Sequence, residues 1–174
     1  MPYNGYAYAV VAVLNELNYQ FKNNIDMKNE SNNNPQTEAI PYDSMLGTGD
    51  TRQNRIMIVN EIIKEIALRG REFFLNKKDA DMAYIFEKAG RLFMHNEYNK
   101  SKMFLHTKYG YPPKNWHHGG TMWGLVNDFK EFIVDGGSTN HNNGYGGLLC
   151  PHWGYPESDM KAIQEKARDL GYLQ

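Results

Sequence analysis

The chain has 174 residues, of which 41% are hydrophobic, with one cysteine and a formal net charge of −1. That is the size of one domain, or one domain with an appendage, and its apolar content excludes a wholly disordered chain. A single cysteine excludes an internal disulfide and fits a reducing compartment. The charge is unevenly placed: residues 69–118 hold 10 basic and 5 acidic groups, against 5 and 8 in residues 1–68 and 4 and 7 in residues 119–174. The basic middle third fits contact with nucleic acid or with an acidic protein face, and equally an ordinary solvated surface.

In chain order, Val10, Leu14, Leu17 and Phe21 fall on one helical face and predict a short helix within residues 1–22. The run YAYAVVAVL from Tyr6 to Leu14 is too short to span a bilayer and has no basic residue before it. It is therefore not read as a targeting segment; a cytosolic location is expected and no membrane partner is expected. Residues 23–50 are rich in Asn, Pro and Gly with few apolar side chains, a composition that predicts a linker. Residues 51–174 are left as the folded domain.

Within that domain, Asp50 or Thr51 is a good N-cap, and Ile56, Val59, Ile62, Ile63 and Ile66 repeat at helical spacing up to Gly70. From Arg71 to His106 the period changes. REFFLN, MAYIFE, RLFMHN and KMFLHT are short aromatic-rich runs parted by turn material, which predicts an antiparallel meander of three or four strands. Which face is buried stays open, because FF and LFM are apolar on both sides. A second helix is predicted with Thr121 as its cap and Met122, Leu125, Val126, Phe129, Phe132 and Ile133 as its stripe, ending at Gly136 and Gly137; only Asn127, Asp128 and Glu131 mark its polar face. A third starts near Ser158, turns Met160, Ile163, Ala167 and Leu170 inward, and ends at Gly171. The sum is an α+β fold.

The chemistry-bearing residues cluster around the second helix. Cys150 and His152 stand two apart around Pro151, His141 lies nine residues earlier, and His117 and His118 precede the helix. If the glycine-rich stretch 141–154 folds back on the histidine doublet, four of these could ligate a structural zinc ion (Zn2+). The competing reading is a buried cysteine with histidines that hydrogen-bond in turns. Metal-dependent nuclease chemistry, with His118 as base and Asn140 or His141 as ligand, is a weaker alternative: the helix after HHGG carries no second ligand set. The chain has no G-x-S-x-G motif and no P-loop, so no catalytic residue is assigned. The segment TKYGYPPKNW, with Lys108, Tyr109, Tyr111, Lys114 and Trp116, combines aromatics, prolines and lysines in an expected turn and is a candidate partner-binding loop.

The runs GREFF, HTKYGY, HHGGT, LVNDFKEFIVDGG and CPHWGYPESDMKAIQEKARDLGYL occur in that order across residues 56–173. Together they resemble a family of small, largely uncharacterised proteins encoded by bacteriophages and prophages. The resemblance implies a phage protein that acts in the bacterial host cytosol by binding host machinery: an inhibitor of a bacterial defence protein, of the anti-CRISPR type that acts on a Cas9-type effector, working by protein contact, to which the structural zinc read from the residues would be an accessory. The alternative is a nucleic-acid-binding phage accessory protein whose basic sheet holds phosphates.

Overall fold

The computed structural model describes residues 50–105, 111–136 and 147–173, all within the compact unit Leu46–Gln174. The expected N-terminal helix and Asn-rich linker, apart from Asp50, lie outside these residues, as do Lys108, Tyr109 and His141. The architecture is α+β, as the alternation of periods predicts: helix α1 (Arg52–Ala67), strands β1 (Leu75–Asn76), β2 (Asp81–Met82), β3 (Tyr84–Lys88), β4 (Arg91–His95) and β5 (Lys102–Phe104), helix α2 (Gly119–Asp135), a 3-10 turn (Pro151–Trp153) and helix α3 (Glu157–Asp169). β1 and β2 form a two-stranded sheet, and β3, β4 and β5 a three-stranded antiparallel meander. REFFLN contributes only Leu75 and Asn76 to a strand, because the chain bends sharply just before: Glu72 and Phe74 both have positive φ, 56° and 70°. That bend splits the doublet, burying Phe74 completely and leaving Phe73 packed against the edge of the core.

Helix α1 is the hub. The hydroxyl of Thr51 caps it, accepting from the Asn54 amide at 3.2 Å. Ile56, Val59, Ile62, Ile63, Ile66 and Ala67 are buried against α2, α3 and β3. Two polar residues orient it. The Asn60 carboxamide accepts from the Ile85 amide and donates to the Ile85 carbonyl, both at 2.8 Å, so it satisfies the free edge of β3 as a neighbouring strand would. The Arg55 guanidinium donates to the Ile133 carbonyl at 3.0 Å, satisfying the last turn of α2, and pairs with Asp50 at 2.6 Å.

The end of α1 is locked to the start of α3. The Tyr155 hydroxyl donates to the Ile66 carbonyl at 3.0 Å and accepts from the Phe73 amide at 3.1 Å. Burial, partly opposed by the Phe73 amide, pushes its pKa up to about 12. Gly70, with φ of 51°, lies under this ring; a Cβ there would stand 2.4 Å from the Tyr155 Cγ. The helix itself stops at Ala67 with Leu68 as its cap, three residues short of the expected stop, so Gly70 is required by close approach and by its positive φ in the turn beyond.

Helix α2 starts at Gly119 with His118 at the N-cap, three residues before the expected Thr121 cap, and the His118 side chain caps nothing because it is engaged elsewhere. Gly136 ends it as predicted. Two of the three residues expected on its polar face, Asn127 and Asp128, are buried, and so is Lys130. Asn127 donates to the Trp123 carbonyl at 2.9 Å and accepts from the Lys130 ammonium at 3.0 Å. Burial, reinforced by Glu131, pushes the Asp128 carboxyl up to about 7, and burial also lowers the Lys130 pKa. Helix α3 packs Ile163 and Ala167 inward, and its Gly171 turn brings Tyr172 and Leu173 into the core, where Tyr172 meets Phe129 and Phe132 edge-on. Nothing in the amphipathic pattern of α3 marks those two residues.

Gly70→Ala is expected to destabilise the protein by about 2 kcal/mol or more in urea denaturation, through φ strain plus the Tyr155 clash. Gly90→Ala, at φ of 72° with nothing within 4 Å, carries only the backbone strain and costs about 1 kcal/mol. Equal losses for the two would refute the steric role of Tyr155. For Asp128, a folded-state pKa above the unfolded value means that the native chain binds more protons between pH 4 and 7. Stability contributed by this group therefore falls as pH rises through that window, and Asp128→Asn flattens that slope.

Candidate nucleic-acid interface

The three-stranded sheet has one covered face and one outward face, and the register assigns each side chain. Ile85, Met94 and Met103 are cross-strand partners and are buried, together with Leu92 and Leu105. The alternate residues turn the other way. They form three rows: Tyr84, His95 and Lys102; Phe86, Phe93 and Phe104; and Lys88 with Arg91. The phenylalanines are half-buried, while Lys88, Arg91 and Lys102 are exposed.

The middle row is an aromatic ladder across all three strands. Phe86 and Phe93 are stacked, with ring centroids 5.7 Å apart and planes at 21°; Phe93 and Phe104 are tilted at 5.5 Å. Cations lie over both ends: the Arg91 guanidinium 5.9 Å from the Phe104 centroid, and the Lys102 ammonium 5.8 Å from that of Phe86. In the flanking row His95 stacks on Tyr84 at 4.9 Å and bonds Asp81 at 2.8 Å. Burial, with the Asp81 charge second, raises the Tyr84 pKa. Rings flanked by cations on an outward sheet face suit stacked bases and phosphates.

The residues singled out around the histidine doublet form a different kind of assembly. His118 Nε2 bonds the carboxylate of Glu97, with both side chains at least nine-tenths buried. The imidazole is ringed by Phe73, Phe74, Trp116 and Tyr98, with centroids 5.1 to 5.9 Å away. Glu97 follows β4, and its carbonyl accepts from Asn76 at 3.1 Å. Its neighbour Asn96 bonds the Asn115 carbonyl and the amides of Tyr98 and Asn99. The β4–β5 turn thus holds the segment entering α2. Cys150 is buried at the start of the 3-10 turn, whereas His152 beside it is exposed. Residues 141–146 of the glycine-rich stretch lie outside the described residues; from its described end a relay of rings runs toward the doublet, Trp153 meeting Tyr155 edge-on, Tyr155 stacking on Phe73 at 5.5 Å, and Phe73 meeting His118 edge-on. Among the described residues, no three His, Cys, Asp or Glu side chains are grouped to hold a metal ion.

The candidate partner loop divides likewise. Tyr111 is 98% exposed and Lys114 is exposed. Trp116 is instead an anchor, donating to the Gly119 carbonyl at 2.7 Å and packing on Trp123. His117 is exposed beside Tyr98. The sheet rows were missed in the sequence reading because RLFMH and YIFEK offer apolar residues on both faces. The alternation of Arg91, Phe93 and His95 was the available signal.

Fold and face together define a small α+β protein with a one-sided antiparallel sheet whose outer surface is aromatic and basic. The chain belongs to the YoqU family, which it matches over residues 50–174. It is similar to the SPbeta prophage-derived uncharacterized protein YoqU of Bacillus subtilis (strain 168), at 30% identity over 122 residues that cover 69% of this chain and 83% of the relative. The phage or prophage resemblance read from the motif order thus agrees with a prophage-derived relative. No solved structure matches the chain. Among the described residues no helix is long and apolar enough to cross a membrane.

His118→Ala leaves the buried Glu97 carboxylate without its partner and is expected to cost about 3 kcal/mol of stability. His117→Ala, at an exposed position, changes stability by about 0.5 kcal/mol or less. Thermal unfolding of the two variants side by side measures the difference, and comparable losses would show that the His118–Glu97 bond does not matter to the fold.

Proposed function

We propose that this phage-type protein binds single-stranded nucleic acid on the outer face of its β3–β4–β5 sheet. The observation that carries the reading is the unbroken row Phe86, Phe93 and Phe104 with Arg91 and Lys102 poised over its ends. Each base offers a π-face to such rings whatever its identity, and cations bind the backbone, so binding is sequence-tolerant and weakens with salt. A duplex hides its base faces and does not satisfy the row. The basic surplus of residues 69–118 adds attraction at long range.

A second reading, inhibition of a bacterial defence protein such as a Cas9-type effector by protein contact, is supported by the prophage-derived relative and by the exposed Tyr111, Lys114 and Tyr98. Loss of DNA cleavage when the protein is mixed with the effector ribonucleoprotein, and its reversal by Tyr111→Ala, would support it. A structural zinc is carried with that reading as a proposal resting on Cys150, His152, His141 and the doublet. The differing burial of Cys150 and His152 weighs against a shared ion, and elemental analysis of untagged protein decides it.

Fluorescence anisotropy with labelled DNA and RNA oligonucleotides of one sequence, single-stranded and duplex, tests the primary reading. We expect both single strands to bind at low salt in preference to the duplex. Phe93→Ala should weaken that binding on the order of tenfold, since one ring supplies about 1 to 3 kcal/mol of stacking. No binding at low salt, or binding indifferent to Phe93→Ala, would sink it.

A further inference from the structure

We infer that a bound strand crosses the sheet along Phe86, Phe93 and Phe104 with its phosphates on the Lys88–Arg91 side and its base edges turned toward Asp81, His95 and Tyr84. This rests on the proposed single-strand binding and adds a direction and a base preference to it. The two rows beside the phenylalanines are chemically unlike. Lys88 and Arg91 are register partners at the turn end of the β3–β4 hairpin, both exposed, and among the described residues neither pairs with a carboxylate. The turn between them, Ala89 and Gly90, leaves space: a Cβ at Gly90 would meet nothing within 4 Å. A phosphate backbone laid there meets two cations and no opposing charge.

The other side carries a carboxylate. Asp81 Oδ2 is 2.8 Å from His95 Nε2, and its Oδ1 accepts from the Met82 amide at 3.0 Å, so the group is held in place at the end of the Tyr84–His95 stack. A negative charge so placed repels phosphate and accepts hydrogen bonds from amino groups on base edges. Lys102 starts from this row, yet its ammonium reaches across β4 to the Phe86 ring, so its charge sits above the platform instead of beside Asp81. Ring centroids 5.5 to 5.7 Å apart exceed the roughly 3.4 Å rise per nucleotide of a stacked strand, so the bases are spread onto the rings with their edges exposed to that carboxylate. A cytosine N4 amino group suits an aspartate; the thymine O4 carbonyl at the same edge does not.

The test measures binding of oligo-dC and oligo-dT across a salt series for the wild type and for Arg91→Ala, Lys88→Ala and Asp81→Asn, with near-UV circular dichroism confirming that each variant keeps the native fold. We expect Arg91→Ala and Lys88→Ala each to reduce the slope of log Kd against log salt by about 0.7, the value of one lost phosphate contact on a single strand. The wild type should favour oligo-dC by about fivefold, and Asp81→Asn should shrink that ratio while leaving the slope unchanged. A slope indifferent to both cation variants, a wild-type ratio of one, or a ratio unchanged by Asp81→Asn overturns the path while the sheet remains the binding face. No binding of either oligonucleotide at low salt removes the platform itself.

Discussion

One constraint governs the domain: only one face of the β3–β4–β5 sheet is covered by α1, and the Asn60 carboxamide sets which face that is. By making both hydrogen bonds of Ile85, Asn60 ties the helix to the edge strand at one register position. Side chains on a strand alternate, so a slip of one residue would send Phe86 and Phe93 into the core and bring Ile85 and Met94 out. With the register held, Ile85, Met94, Met103, Leu92 and Leu105 join the isoleucines of α1. The row of phenylalanines is then presented outward as a by-product of covering the other side.

The rest of the domain braces this arrangement. Tyr155 joins the end of α1, the bend at Phe73 and the start of α3 in a single side chain. The His118–Glu97 bond ties the β4–β5 turn to the beginning of α2, linking the strands that bear the outer face to the helical layer. Both clamps end on Phe73, which contacts the Tyr155 and His118 rings. That convergence brings residues as far apart in sequence as GREFF, HHGG and CPHWGYP together. They are parts of one packing joint.

Of the histidines and the cysteine that invite a metal reading, His118 and Cys150 have places in the packing. His118 has its partner in a carboxylate that no spacing rule would have selected, since Glu97 lies 21 residues away across a turn. Cys150 is in the core. The basic surplus of the middle third, by contrast, acquires a location: Lys88, Arg91 and Lys102 share one face with the aromatic row. Charge, rings and register coincide there and nowhere else among the described residues.

Read alone, the sequence determined the α+β class, helices α1, α2 and α3 to within a few residues, the stops at Gly136 and Gly171, and the meander of short strands. These are properties of local periodicity and of backbone freedom, which a few neighbouring residues decide. It also showed that the middle third was basic. Only the tertiary structure decided which side of FF, YIF and LFM faces water, because a strand apolar on both sides has no preference until a helix covers one of them. It likewise buried Asn127 and Asp128, which read as part of the polar face of α2, together with Lys130, and brought Tyr172 and Leu173 under α2. Burial is a property of what lies opposite a side chain, and what lies opposite comes from remote parts of the chain.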